Sequence, residues 1–220
     1  KKRHELIMTS KIKIAFQGAK GAYSHLACLE LFPKAEVKAC ATFEETFQIA
    51  KDNSDYKIII PIENSLAGRV ADIHYLIPKY KLQIHAEHFQ KVNHNLLGIK
   101  GSKIKNIKTV RSHAQAIDQC QKIIKEYNLK SIISADTAGS AKFVSEKNDK
   151  TDSAIASELA AKIYNLDILK KNIEDGLGNV TRFFIMGKQS KHPEFGNKKY
   201  ITSCIFKLKS IPAALYKALG

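Results

Sequence analysis

No apolar run in the 220-residue chain approaches the roughly 20 residues that a membrane-spanning helix needs, so no membrane partner is expected. The start, Lys1 to Met8, is basic but has no apolar core behind it, which does not fit a secretory signal. Met8 reads as a natural start, and a cytoplasmic location is expected. Cysteine is scarce. Cys28, Cys40, Cys120 and Cys204 are scattered without metal-type spacing and read as free, mostly buried thiols of a reducing compartment. The histidines also lack ligand spacing. His85 and His88 are three apart, which a strand would put on opposite faces. No metal is expected. Acidic side chains are few, 21 against 36 lysines and arginines, giving a formal net charge of +15. Arginine is rare (Arg3, Arg69, Arg111, Arg182), the lysines run along the whole chain, and no basic stretch is interleaved with aromatics. That pattern speaks against nucleic acid as the partner. It suits a general positive field that draws in a small polyanion.

Hydrophobic and charged fractions of 44% and 26% are those of an ordinary globular protein. Lys11 to Phe16 alternates and predicts a strand. A loop with Gly18 and Gly21 leads into a helix over 25–32. It lacks the third glycine and the later acidic partner of a dinucleotide fingerprint. Strands are predicted over 37–41 and 57–62. Between them Thr42 to Glu45 forms a capping box before an amphipathic helix. A helix over 70–77 stops at Pro78. Strands follow over 82–89, from 94 and over 109–111, with a helix over 116–127, a strand over 131–135 and a helix to 146. A strand over 153–156, a helix over 158–164 and a stretch over 168–173 complete the series. Repeated β-α order predicts an α/β fold of two parallel-sheet lobes with a central cleft. The expected division is 11–91 with 175–188 as lobe one and 92–174 as lobe two. A tail over 1–10, a linker over 189–199 and a short last segment over 200–220 complete it.

Asp175-Gly176-Leu177-Gly178-Asn179-Val180-Thr181-Arg182-Phe183 runs from a flexible turn into an apolar strand. Thr181 offers a hydroxyl, Arg182 a guanidinium fit for a carboxylate, and Phe183 an apolar wall. Glu63, Asn64 and Ser65 lie just past a buried-type strand, where open α/β sheets hold ligands.

Together Phe16 to His25, Pro61 to Ser65, His94 to Leu97, Ser112 to Gln115, Asp136 to Ala138 and Asn179 to Phe183, in order and spacing, resemble the prephenate dehydratase family. The resemblance covers roughly residues 11–186. It implies two α/β lobes similar to type II periplasmic binding proteins. The implied reaction is decarboxylating dehydration of prephenate to phenylpyruvate, with no cofactor because aromatisation supplies the driving force. By resemblance Thr181 sits at the leaving hydroxyl, while Glu63, if partly buried, is a candidate proton source. Asn64, Ser65, Ser112 and Gln119 would orient substrate, Arg182 would clamp a carboxylate or form a structural ion pair between lobes, and Phe183 would line the ring pocket. The tail resembles the opening β-α of an ACT domain, cut short. It carries Pro212-Ala213-Ala214-Leu215 where the family usually has Pro-Gly-Ala-Leu. That implies L-phenylalanine as a regulator and a homodimer. Arogenate dehydratase and a noncatalytic two-lobe sensor are the competing readings.

Overall fold

The computed structural model describes residues 12–188, 202, 206 and 208–219. In chain order the first elements are β1 (Lys13–Gln17), α1 (Tyr23–Leu31), β2 (Glu36–Cys40), α2 (Phe43–Asp52), β3 (Tyr56–Asn64), β4 (Gly68–Arg69), α3 (Ala71–Tyr80) and β5 (Gln83–Lys91). The next are β6 (Asn95–Ile99), β7 (Thr109–Ser112), α4 (Ala114–Asp118), α5 (Gln121–Glu126), β8 (Lys130–Ile133) and α6 (Thr137–Lys147). The last are β9 (Asp152–Ala156), α7 (Glu158–Ile163), β10 (Leu166–Lys170), β11 (Val180–Gly187) and α8 (Ala214–Leu219). One sheet has the order β2-β1-β3-β11-β5, with β4 on β3; the other has the order β10-β6-β9-β7-β8.

Each sheet carries helices on both faces, and strand alternation decides which residue meets which helix. Ile58, Ile60, Phe184 and Met186 pack with Phe47, Ala50, Ile73 and Leu76 of α2 and α3. Their neighbours Ile14, Phe16, Ile59, Phe183 and Ile185 pack with Ala27 and Cys28 of α1. In the second lobe Leu96, Val110 and Ile155 meet the helix pair α4 and α5, while Leu97, Ala154 and Ala156 meet α6 and α7. The α/β, two-lobe class holds, but the sheets are mixed rather than parallel throughout. β11 runs antiparallel to β3 and β5, and β6 antiparallel to β9 and β10. The cause is the double crossing. The chain leaves the end of β5 for the second sheet and returns beside that end, so β11 must run away from the point of entry. β6 starts at the same crossing and runs away in the other direction.

Thr42 caps α2 as expected: its hydroxyl accepts from Glu45 N at 3.0 Å, and the Glu45 carboxylate accepts from Ala41 N at 2.8 Å. The helix expected to stop at Pro78 instead continues to Tyr80 and ends at Lys81, which adopts a left-handed φ of 53°. Pro78 and His74 both lie on the exposed face, so the carbonyl freed by the missing N–H faces water. The single helix expected over 116–127 is broken into α4 and α5 at Cys120. The Asp175 carboxylate caps the second piece, accepting from Gln121 N at 2.7 Å and Lys122 N at 3.1 Å.

Cys28, Cys40 and Cys120 are free and buried; Cys204 lies outside the described residues. Among the described residues no helix is long and apolar enough to cross a membrane, and no three His, Cys, Asp or Glu groups are gathered as metal ligands. Residues up to Ser190 form one compact unit and those from Lys191 a second. In the second, α8 follows Pro212, and Ala213 takes a positive φ of 58°, where glycine is at ease and alanine is strained. The tail over 1–10, the linker over 189–199 and most of the strand expected over 200–208 lie outside the described residues.

Candidate functional site

A cavity of about 320 Å³ opens where the ends of β1, β3 and β7 meet both crossing segments. Phe43, Pro61, Val70, Val92 and Phe183 supply its apolar wall; Tyr23, Asn64, His94, Gln119, Asn179 and Thr181 supply its polar groups. This is the size and mixture that holds a small polar ring compound. A larger crevice of about 650 Å³ lies beside Glu30, Lys91 and Glu158. Two of its lysines, Lys162 and Lys171, are on Glu158, and it holds none of the expected site residues, whereas the smaller cavity is lined by Asn64, Gln119, Thr181 and Phe183 and is the better candidate.

The polar wall is one hydrogen-bonded chain with a fixed direction. Asn64 Oδ1 accepts from Leu66 N at 3.0 Å and Ala67 N at 2.9 Å, which turns its amide nitrogen toward the cavity. That nitrogen donates to Thr181 Oγ1 at 3.0 Å and to Asn179 Oδ1 at 2.7 Å. Asn179, 2% exposed, in turn donates to Gln119 Oε1 at 2.7 Å. Because Thr181 Oγ1 accepts, its own hydrogen is left to donate. No described residue takes it, and Thr181 lines the cavity.

Of the expected site residues, Thr181, Asn64, Gln119 and Phe183 are brought together here. Glu63, Arg182, Ser65 and Ser112 are not, and each has a physical reason. Successive residues of a strand point to opposite faces. Asn64 and Thr181 therefore face the cavity while their neighbours Glu63 and Arg182 face away. Glu63 is half exposed, and its carboxylate takes a bond from Arg182 Nη1 at 3.1 Å. Arg182 also holds Glu87, with Nε at 2.9 Å and Nη2 at 2.7 Å, and lies over the Phe184 ring at 5.1 Å. It is a structural ion pair, as one reading of it allowed, but within one sheet rather than between lobes. Its two carboxylate partners raise its already high pKa, that of Glu63 first. Ser65 holds the entry to β11, donating to Gly178 O at 2.7 Å and accepting from Val180 N at 2.9 Å. Ser112 is fully buried and donates to Ile155 O at 2.7 Å.

Tyr23, His94 and Asn179 belong to the cavity although sequence reasoning gave them no role. All three stand inside the motifs quoted for the resemblance, and Tyr23 opens α1 beside the glycine loop. Among the described residues no lysine or arginine lines the cavity, and its carboxylate, Asp136, is turned to Gly139 N at 2.6 Å as the cap of α6. An anion there would meet N–H and O–H donors. The start of α1, at Ala22 to Ser24, has no side-chain cap and borders the cavity.

Burial lowers the pKa of His94, with the Gln119 hydrogen bond opposing in part, and burial followed by Lys20 lowers that of His25. His25 Nδ1 accepts from Gly21 N at 3.0 Å, a bond that needs the bare nitrogen. Both rings are held neutral, so the unfolded chain binds more protons. Stability is then complete above the ordinary histidine range near pH 6.5 and falls as pH drops through and below it. The melting temperature should be flat from pH 8 to 7 and decline toward pH 5, and the decline should shrink in His25→Gln.

A family model described as prephenate dehydratase matches residues 14–191. The chain is 42% identical over 207 residues to a bifunctional N-acyl-homoserine lactone acylase/prephenate dehydratase of Komagataeibacter europaeus, covering 94% of this chain and 74% of that one. It is 42% identical over 211 residues to the chloroplastic arogenate dehydratase/prephenate dehydratase 1 of Arabidopsis thaliana, covering 96% of this chain and 54% of that protein. The chain thus spans about half the length of its plant relatives. Among solved structures, a quorum quenching acylase, GqqA, superposes with a TM-score of 0.79 at 39% identity, over 94% of this chain and 76% of that one. The prephenate dehydratase of Staphylococcus aureus superposes at 0.71 with 26% identity, over 81% and 67%.

Proposed function

The chain belongs to the prephenate dehydratase family of hydro-lyases, and from that premise we propose that it converts prephenate to phenylpyruvate, carbon dioxide and water. The observation that carries the reading is the Thr181 hydroxyl. Its oxygen is held by Asn64, and its hydrogen is free to point into a cavity with an apolar wall.

In the reaction the ring carboxylate leaves as carbon dioxide, and the electron pair of its carbon–carbon bond enters the ring. The opposite carbon–oxygen bond breaks, and the departing hydroxide takes one proton to become water. Electrons balance within the ring, which becomes aromatic. Thr181 donates its hydrogen bond to the departing oxygen, where negative charge develops. A threonine hydroxyl is a weak acid, so the proton consumed is drawn from solvent through cleft water, and Thr181 keeps its own rather than being left as an alkoxide. Glu63 faces away from the cavity and has no part in this. Phe183, 1% exposed and lining the cavity, packs against the ring and keeps the scissile carboxylate poorly solvated, which favours loss of its charge as neutral carbon dioxide.

Further parts of the proposal are a cytoplasmic location, supported by the free thiols of Cys28, Cys40 and Cys120, and a homodimer with phenylalanine regulation through the last segment, which rest on the resemblance of that segment to an ACT opening.

Purified protein should form phenylpyruvate from prephenate, read by its absorbance in alkali, with a higher kcat/KM than for conversion of arogenate to phenylalanine. A higher value on arogenate would reassign the substrate within the same family. Binding of either compound without turnover of either would overturn the enzymatic reading.

A further inference from the structure

His94 is 3% exposed and sits in the outgoing crossing between the lobes, before β6. Its Nε2 lies 2.9 Å from Gln119 Oε1, and its Nδ1 lies 3.0 Å from Tyr23 Oη. Gln119 stands at the break between α4 and α5 in the second lobe, and Tyr23 in the first turn of α1 in the first lobe. The direction of every bond follows from the far end of the chain. Asn64 is oriented by two backbone N–H groups, so Asn179 must present its carbonyl to Asn64 and its amide nitrogen to Gln119. Gln119 Oε1 is then an acceptor, and a carbonyl oxygen has room for two donors. The second is His94 Nε2, which must carry the proton. Neutral imidazole then has a bare Nδ1, which shares the one hydrogen of the Tyr23 hydroxyl with Asn93 O in a three-centre bond, at 3.0 and 2.7 Å. Burial pushes the Tyr23 phenol well above its ordinary pKa, so it stays a donor.

With both lone pairs of Gln119 Oε1 engaged, its amide nitrogen makes no hydrogen bond to any described residue, and Gln119 lines the cavity. We propose that His94, in its Nε2–H form and braced by Tyr23, is a positioning residue that turns the Gln119 amide so that its NH2 group, not its carbonyl, faces the bound anion. Substrate then meets two fixed donors, the Thr181 hydroxyl and the Gln119 amide. The opposite tautomer would set a bare nitrogen against a carbonyl oxygen. It would drive Gln119 to flip and place two NH2 groups face to face at Asn179. The part of this that concerns substrate rests on the dehydratase reading; the hydrogen-bond direction does not.

The test is a cycle of variants assayed on prephenate and arogenate, with a spectrum beside it. His94→Ala should lose about tenfold to a hundredfold in kcat/KM, the effect of leaving a buried polar partner loose. His94→Gln carries an N–H donor to the same place and should recover most of that loss. Gln119→Glu keeps both accepted bonds but has no NH2, and should be impaired at least as badly as His94→Ala. In a Gln119→Ala background His94→Ala should add little, because the two act through one group. Equal losses in the two backgrounds, or no recovery with glutamine, would overturn the proposal while leaving the dehydratase reading standing. If the unaltered protein turns over neither substrate, that reading fails, and the 15N imidazole spectrum still decides the geometry. Protonated Nε2 with bare Nδ1 at His94 supports it, and the reverse overturns it.

Discussion

Thr181→Ala should lower kcat by about a hundredfold to ten-thousandfold while KM changes far less, the range expected when one positioned hydrogen-bond donor or acid is removed. The small change in KM follows from where the group acts. It meets an oxygen whose charge grows only as the carbon–oxygen bond breaks, so it contributes to the transition state and little to the bound ground state. The fold should be untouched. Thr181 is only partly buried, and Asn64 Nδ2 keeps Asn179 Oδ1 and Val180 O, at 2.7 and 3.3 Å, when the threonine oxygen is gone. The melting temperature of the variant should therefore match that of the unaltered protein. Thr181→Ser, which keeps the hydroxyl on Asn64, should retain most of the turnover. Near-normal kcat in the alanine variant would remove Thr181 from the chemistry, and Glu63 could not take its place from the far side of the sheet.

The same strand marks what could and could not be read from the sequence. Apolar alternation and the glycines before it made β11 legible, and Thr181 with it. Placing Thr181, Arg182 and Phe183 at one lip ignored the two-residue period of a strand, which the same alternation announces. Applied to Glu63 and Asn64, that period would have separated them too. Other features lay beyond any local pattern. The bonds that build the cavity join Asn64 to Asn179 and Tyr23 to His94 across large chain separations, and Asn179 to Gln119 across lobes. The break at Cys120 depends on Asp175, which reaches the start of α5 from the return crossing. Without that distant carboxylate, the stripe of Ile117, Cys120, Ile123 and Ile124 reads as one helix. The break is what leaves Gln119 at a helix end beside the cavity. The direction of β11 and β6 was implicit in a chain that leaves a sheet and re-enters it at the same end.

Gly21→Ala should be the most damaging of the conservative changes, because it acts on the contact between the lobes. Gly21 has a φ of +95°, which a side chain adopts at a cost of about 1–3 kcal/mol. Its backbone also rests on α7. A Cβ there would lie 2.8 Å from Ala160 Cα and 3.0 Å from Ala160 Cβ, with backbone rather than a flexible side-chain tip in the way. Overpacking of this kind costs about another 1–3 kcal/mol. At roughly 2–4 °C per kcal/mol for a chain of this size, the sum predicts a fall in melting temperature of about 5–20 °C. Gly18 provides the control. Its φ of +116° is as unfavourable, but a Cβ would meet only Ala22 Cβ at an ordinary 3.6 Å, so Gly18→Ala carries the strain without the wedge. The difference between the two variants measures the contact with α7. That contact includes Ser157 Oγ on Gly21 O and the Tyr164 hydroxyl on Lys20 O at 2.7 Å, both joining the first lobe's loop to the second lobe's helix. If α7 is pushed back to make room, Tyr23 and His94 are drawn apart as well, since Tyr23 follows the loop and His94 belongs to the crossing. Turnover should then fall in Gly21→Ala even below its melting range, and fall less in Gly18→Ala. Equal falls in both would locate the fault in the loop's own conformation and relieve the lobe contact of any part in activity.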